Sequence, residues 1–286
     1  MDRRNFIGSS FGALSLISLS SFRSFSDHLP ASDKMPVLFV GHGNPMNAIE
    51  DNDFSRAWKK VAKDLPRPNA ILCISAHWLT RGTYVTAMKQ PRTIHDFGGF
   101  PPALFEKQYP APGAPSYAEE TVKLVTGTHV GLDHEWGLDH GTWSVLAQMF
   151  PEAELPVYQL SIDAARPPRW HYELAQELSA LRRKGVLIIG SGNIVHNLGM
   201  VDWNGGAYPW ALEFDAKAKQ LIDQHDHDSL IDYDRLGSAA RLSIPTNDHY
   251  LPLLYSIALQ GKNEHHEYFA EQTVMGSVSM RSIRIG

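Results

Sequence analysis

The chain has 286 residues, 43% hydrophobic and 20% charged, with a formal net charge of −5 at pH 7 and a pI near 6.3. That is the composition of a soluble globular protein long enough to bury a core unaided, and its acidic balance gives no reason to expect nucleic acid or an anionic membrane as partner. The single cysteine, Cys73, sits in the apolar run AILCIS and excludes both a disulfide framework and a cysteine-based zinc site.

The chain begins MDRRNFIGSSFGALSLISLSSF, with Arg3 and Arg4 ahead of a weakly apolar stretch diluted by Ser and Gly. The stretch is too short and too polar to span a bilayer, so no stable membrane insertion is expected. It fits a twin-arginine export signal, an address read by a receptor and not part of the fold. Residues 1–33 are therefore expected to be a signal or a disordered tail, and residues 34–286 the folded domain. A working signal implies a periplasmic protein; a tail that merely contains Arg-Arg implies a cytoplasmic one.

Beyond the signal, apolar runs of strand length alternate with amphipathic stretches. Strands are predicted at 36–41, 70–76, 83–88, 156–162, 186–190 and 274–285. Helices are predicted at 53–64, 115–126, 142–149, 167–184, 207–224 and 249–260. Near-continuous apolar strands separated by helices predict a single α/β domain. Its central sheet is mostly parallel or mixed and covered by helices on both faces. In such a sheet ligands bind beyond the carboxyl ends of the strands.

Histidines gather at those ends. Val37–Val40 runs into Gly41-His42-Gly43, Ile71–Ala76 into His77-Trp78, and Val186–Ile189 into a segment that reaches His196. His95, His140 and His249 lie in loops or at helix starts. No local metal motif such as H-E-x-x-H is present, so any ligands converge from distant segments. Neutral imidazoles suit Zn, Fe(II), Cu or Ni and not Mg or Ca. Asp139 and Asp248 each precede a histidine. They either orient imidazoles or serve as helix N-caps. The remaining histidines, among them the HDHD run at 225–228, lie in polar or charged surroundings and are given no role in the site.

Six stretches in order, GHGNPMNAI, SAHW, IHDFGGFPPALFEKQYPAPG, GLDHGTW, GSGNIVHNL and NDHYLPLLY, resemble the DOPA-dioxygenase branch of the class III extradiol ring-cleaving dioxygenases. The resemblance spans residues 36–286. It implies a metal site at the strand ends, Fe(II) in the active form with Zn(II) able to occupy an isolated sample, and a catechol substrate opened by O2 beside its two hydroxyls. It further implies His42, His77 and His249 as metal ligands, an all-histidine set without the carboxylate usual in Fe(II) oxygenases. His196 corresponds to the acid/base histidine, suited to proton traffic near neutral pH and able to become a fourth ligand to zinc. His140 would hydrogen-bond the substrate or oxygen, and His95 with Phe97 would line the ring pocket. Loops 89–113 and 197–210 are expected to shape that pocket and so to choose the substrate; the oligomeric state is not legible.

Two other functions use the same residues. A zinc hydrolase would activate water on the histidine site, but it would want a carboxylate base that the motifs do not supply. A non-enzymatic binding protein of this fold would be marked by a lost ligand position, and every expected position is filled.

Overall fold

Every side chain of Ala70–Ser75 is buried, and the strand divides them between two cores. Ala70, Leu72 and Ile74 join one apolar cluster, while Ile71 and Cys73 join the other. This is the period-2 alternation of a strand covered on both faces, and it explains a run with no polar residue until its end.

The computed structural model describes residues 29–203 and 205–286, so most of the predicted export signal lies outside the described residues. Ala31–Gly286 form one compact unit. Its main sheet contains β1 (Val37–Gly41), β2 (Ala70–Ser75), β3 (Val157–Gln159), β4 (Val186–Gly192), β5 (His266–Phe269) and β6 (Ser282–Ile285), ordered β3-β2-β4-β1-β6-β5. The first four strands in that order are parallel; β6 runs antiparallel to β1, and the edge strand β5 antiparallel to β6. The sheet is therefore mixed, as the α/β pattern implied. Register brings the strand ends level: Gly41 pairs with Gly192, and Ser75 with Ser191.

Helices α1 (Asp53–Lys63) and α2 (His140–Met149) cover one face through Trp58, Trp143, Leu146 and Met149. Helices α3 (Pro168–Glu177), α4 (Pro209–Asp223) and α5 (Leu251–Ala258) cover the other through Leu174, Phe214 and Leu254. The start of α1 is fixed by Asn52, whose side chain accepts the Phe54 and Ser55 amides while Ser55 caps Asn52 in return. No described helix is long and apolar enough to cross a membrane.

Several expected elements are shorter or broken. The strand predicted at 274–285 is three pieces, because Met275 and Gly276 take positive φ and Arg281 turns inward to a buried ion pair with Asp215. The helix predicted at 167–184 is α-helical only to Glu177, then 3-10 over Leu178–Lys184, ending at Gly185 with φ +75°. Thr83–Thr86 is a strand, but it pairs with Val130–Asp133 outside the main sheet. Edge strand β5, half exposed and charged, has no apolar pattern to reveal it in the sequence.

Candidate metal centre and active site

The level ends of β1, β2 and β4 deliver the first imidazoles to one place. His42 follows β1 directly and His77 stands two residues past β2. His249 arrives from the far side, just before α5, and reaches the sheet because Gly192 has no side chain. A Cβ there would lie 2.2 Å from the His249 carbonyl oxygen, which accepts the Asn193 amide.

The three rings form a nearly equilateral triangle. Ring centres are 5.0 Å apart for His42 and His77, 5.2 Å for His42 and His249, and 4.9 Å for His77 and His249. Imidazoles bound about 2.1 Å from one ion in roughly tetrahedral directions place their ring centres about 5 Å apart. The Nε2 atoms of His42 and His77 are 3.1 Å from each other.

Hydrogen bonding dictates which nitrogen is free. Ser191 spends its one hydroxyl proton on the Gly141 carbonyl (2.5 Å), so it accepts from His42 Nδ1 at 3.0 Å. His249 Nδ1 is held by the Asp248 carboxylate. His77 Nδ1 faces Asp96 Oδ2 at 3.5 Å. With all three Nδ1 protons directed at acceptors, the Nε2 lone pairs are left for a metal.

Burial, reinforced by the neighbouring histidines, holds His42 and His77 well below the usual imidazole range. Burial and then His249 push His196 down to about 3. Neutral imidazoles are the form a metal binds, so the donor set fits a borderline divalent ion. Nitrogens of His42, His77 and His140 lie within 4.8 Å of one another, as do ligand atoms of His196, Asp248 and His249. His140 is thus an alternative third donor by distance. Its ring centre stands only 3.8 Å from that of His77, closer than two ligands of one ion normally sit.

His196 lies flat on His249, ring centres 3.5 Å apart and planes within 6°. In-plane lone pairs of two stacked parallel rings cannot meet at one point. His196 as a fourth ligand beside His249 therefore does not fit this arrangement; one ring would have to turn. As it stands, His196 is next to the triangle and lines the same cavity.

The other expected residues divide. Phe97 and His140 line the cavity, together with Phe100. His95 does not: its Nε2 donates to the Lys107 carbonyl at 2.9 Å, and the ring packs behind Phe97 against Trp143 and Phe105. The expectation that His95 touches the substrate ring is corrected, because a satisfied backbone bond turns it away.

Of the two aspartates left open, Asp139 caps α2 through the Thr142 amide and accepts from Ser75 (2.6 Å) and Gln159 (2.7 Å). Asp248 orients His249, while α5 begins without a side-chain cap. The carboxylate that contacts His140 is one the sequence reading passed over. Asp96 Oδ2 lies 3.0 Å from His140 Nδ1, and Asp96 Oδ1 accepts the His140 amide at 2.9 Å. Burial raises the Asp96 pKa, but the contacts with His140 outweigh it and hold the carboxyl below its ordinary value. Its only sequence signal was its place beside His95.

Above the imidazoles opens a cavity of about 460 Å³, walled mainly by apolar side chains from the 97–100 and 198–203 loops. That volume lies within the roughly 300–1,000 Å³ of small-molecule sites.

Known proteins match this chain along its length. The family model described as the catalytic LigB subunit of aromatic ring-opening dioxygenase covers residues 35–280. The chain is 47% identical to an Escherichia coli K12 protein named 4,5-DOPA dioxygenase extradiol, over 91% of this chain and 98% of that one. It is 36% identical to the Beta vulgaris protein of the same name, over 81% of this chain and 89% of that one. The crystal structure of an uncharacterized E. coli K12 protein superimposes with a TM-score of 0.77 at 44% identity, covering 88% of this chain and all of the other.

Proposed function

Because this chain belongs to the LigB family of aromatic ring-opening dioxygenases, we propose that it opens a catechol-type, DOPA-like ring with O2 at an iron(II) held by His42, His77 and His249. The observation that carries the ligand assignment is the triangle of three imidazoles, 4.9–5.2 Å on a side, whose Nδ1 atoms all face acceptors. Iron(II) held there would bring catechol and O2 together and relay electrons from the catecholate, which is oxidised as its ring opens, to O2. Zinc fits the same imidazoles but has no redox chemistry.

The chain's own residues handle protons and orientation. His196 is neutral and next to the ligand triangle in the same cavity, so a ring nitrogen is placed to accept a catechol hydroxyl proton, and burial, which disfavours the charged ring, drives that proton back as the ring opens. His140, its Nδ1 turned to Asp96, offers Nε2 to a substrate or oxygen atom. Phe97 and Phe100 pack on the ring and keep water from the reacting face.

The test is anaerobic loading with Fe(II), followed by catechol, DOPA and protocatechuate in turn with O2. The expected result is a yellow ring-opened semialdehyde, with zinc-loaded protein inert and His196→Ala slowed about 10²–10⁴-fold at unchanged metal content. No O2 uptake with any catechol would overturn the proposal.

A further inference from the structure

Asn44 follows the ligand His42 by two residues and lines the cavity above it. Gly43 turns the chain there with φ +56°, tight against Met280, whose Sδ would lie 2.3 Å from a Cβ at Gly43. Asn44 itself is then held at two points. Its carbonyl accepts the Asn47 amide at 3.0 Å, and its side-chain Oδ1 accepts the Met46 amide at 2.9 Å to cap Pro45–Ala48. Only the oxygen of the side-chain amide can accept, so the cap also decides which way round that amide sits. No described residue accepts from Nδ2, which keeps two N–H bonds uncommitted.

The other polar side chains of the described lining already have tasks. His42, His77 and His249 face the metal position, and His140 and His196 serve the reacting oxygens in the ring-opening reading. Asp96 is an anion engaged by the ring and the amide of His140. Trp203 stands 71% exposed, where water competes for its indole N–H. The remaining lining residues are apolar or glycine.

We infer that Asn44 is a specificity residue, its Nδ2 donating to a carboxylate at the end of the catechol's ring substituent. The inference rests on the ring-opening reading, which puts the two hydroxyls at the imidazoles and leaves the substituent to the walls. A carboxylate brought into this cavity loses water and meets no cation among the described lining residues, so it needs a neutral donor that no other group occupies. Asn44 Nδ2 meets both conditions. A hydrogen bond to an ionised acceptor is stronger than one between neutral groups, and a side chain already fixed by its cap loses little rotamer freedom in making it. An alkyl substituent in the same place would leave Nδ2 without a partner, which favours the acidic substrate.

The test titrates 3-(3,4-dihydroxyphenyl)propionate and 4-propylcatechol, similar in chain length and differing in charge, calorimetrically into Zn(II)-loaded protein without O2. Asn44→Ser keeps an oxygen to cap the Met46 amide and removes the N–H donors. It is expected to cost the propionate about tenfold or more in affinity relative to the propyl compound. Asn44→Asp keeps the cap and puts an anion where Nδ2 was. It should weaken the propionate further and tighten dopamine, whose substituent ends in ammonium, both relative to 4-propylcatechol. The ratios cancel any change in binding of the shared ring, and zinc content measured in each variant shows that the site is loaded.

A ratio untouched by Asn44→Ser would overturn the inference, whether both compounds bind as before or both weaken together; the second result would put Nδ2 at the catechol oxygens instead. No relative gain for dopamine in Asn44→Asp would overturn it too. Wild type and variants are then loaded with Fe(II) and given O2. Ring opening with a binding ratio independent of Asn44 keeps the ring-opening reading and removes the subsite. A ratio that depends on Asn44, with no ring opening, does the reverse.

Discussion

His42 and His77 meet head-on, with Nε2 atoms 3.1 Å apart and each Nδ1 turned to an acceptor. Two lone pairs at that range repel unless a cation or proton lies between them, so metal should stabilise the fold. Adding Zn(II) to metal-free protein at a hundredfold excess over its Kd should contribute about 2.7 kcal/mol, read as a rise in Tm. His77→Ala should abolish both the shift and the bound metal measured by elemental analysis. An equal shift in the variant would place the binding elsewhere.

Asp96 faces His77 and His140 from one carboxylate, so it orients two imidazoles at once. Asp96→Asn keeps the shape but removes the charge and turns one acceptor atom into a donor. Metal affinity is expected to fall about 10–100-fold, the usual cost of losing such a partner, measured by competition with a chelator. Unchanged affinity would mean that the carboxylate serves only the α2 backbone.

Gly141 lies in the first turn of α2, where alanine would ordinarily gain about 1 kcal/mol of helix propensity. Here a Cβ would stand 2.4 Å from Ser75 Oγ and 2.9 Å from His77 Cδ2. Overpacking of this kind costs about 1–3 kcal/mol and wins. Gly141→Ala should lower the urea midpoint and shed metal, because relief of the clash moves His77. A variant more stable than wild type with full metal content would contradict this.

His171, remote from the site, packs between α3 and α5 with its Nδ1 2.9 Å from the Tyr255 hydroxyl. Burial pushes its pKa from 6.5 down to about 4. Between those values the unfolded chain takes up a proton that the folded one refuses, so stability falls as pH drops from 6.5 toward 4 and is fully present above 6.5. The loss should approach ~3 kcal/mol near pH 4. His171→Gln, which can still pair with Tyr255, should flatten the slope of urea midpoint against pH over that window. A parallel slope in the variant would assign the loss to other groups.

The site was legible in part. His42, His77 and His196 could be found because a parallel sheet sends its ligands to strand ends, and each strand was an unbroken apolar run. His249 rested on resemblance, since nothing local in NDHY says which way its ring points. Nothing in the IHDF stretch separates His95, expected at the ring pocket, from Asp96, which faces His77 and His140, because adjacent residues point in different directions and only the packed loop decides which one reaches the metal centre. Likewise, an aspartate before a histidine can cap a helix or hold a ring. Asp139 does the first and Asp248 the second, and the sequence pattern is the same for both.

By itself, then, the sequence determined the α/β class, five of the six strands of the main sheet, and the set of residue types gathered at one sheet edge. Periodicity is a local property, and burial acts on it residue by residue. Tertiary structure alone decided the pairwise geometry: the triangle of three imidazoles, the flat stack of His196 on His249, and the apolar cavity walls above them. Those depend on register between distant strands and on which acceptor each ring nitrogen finds, and neither is encoded within any one segment.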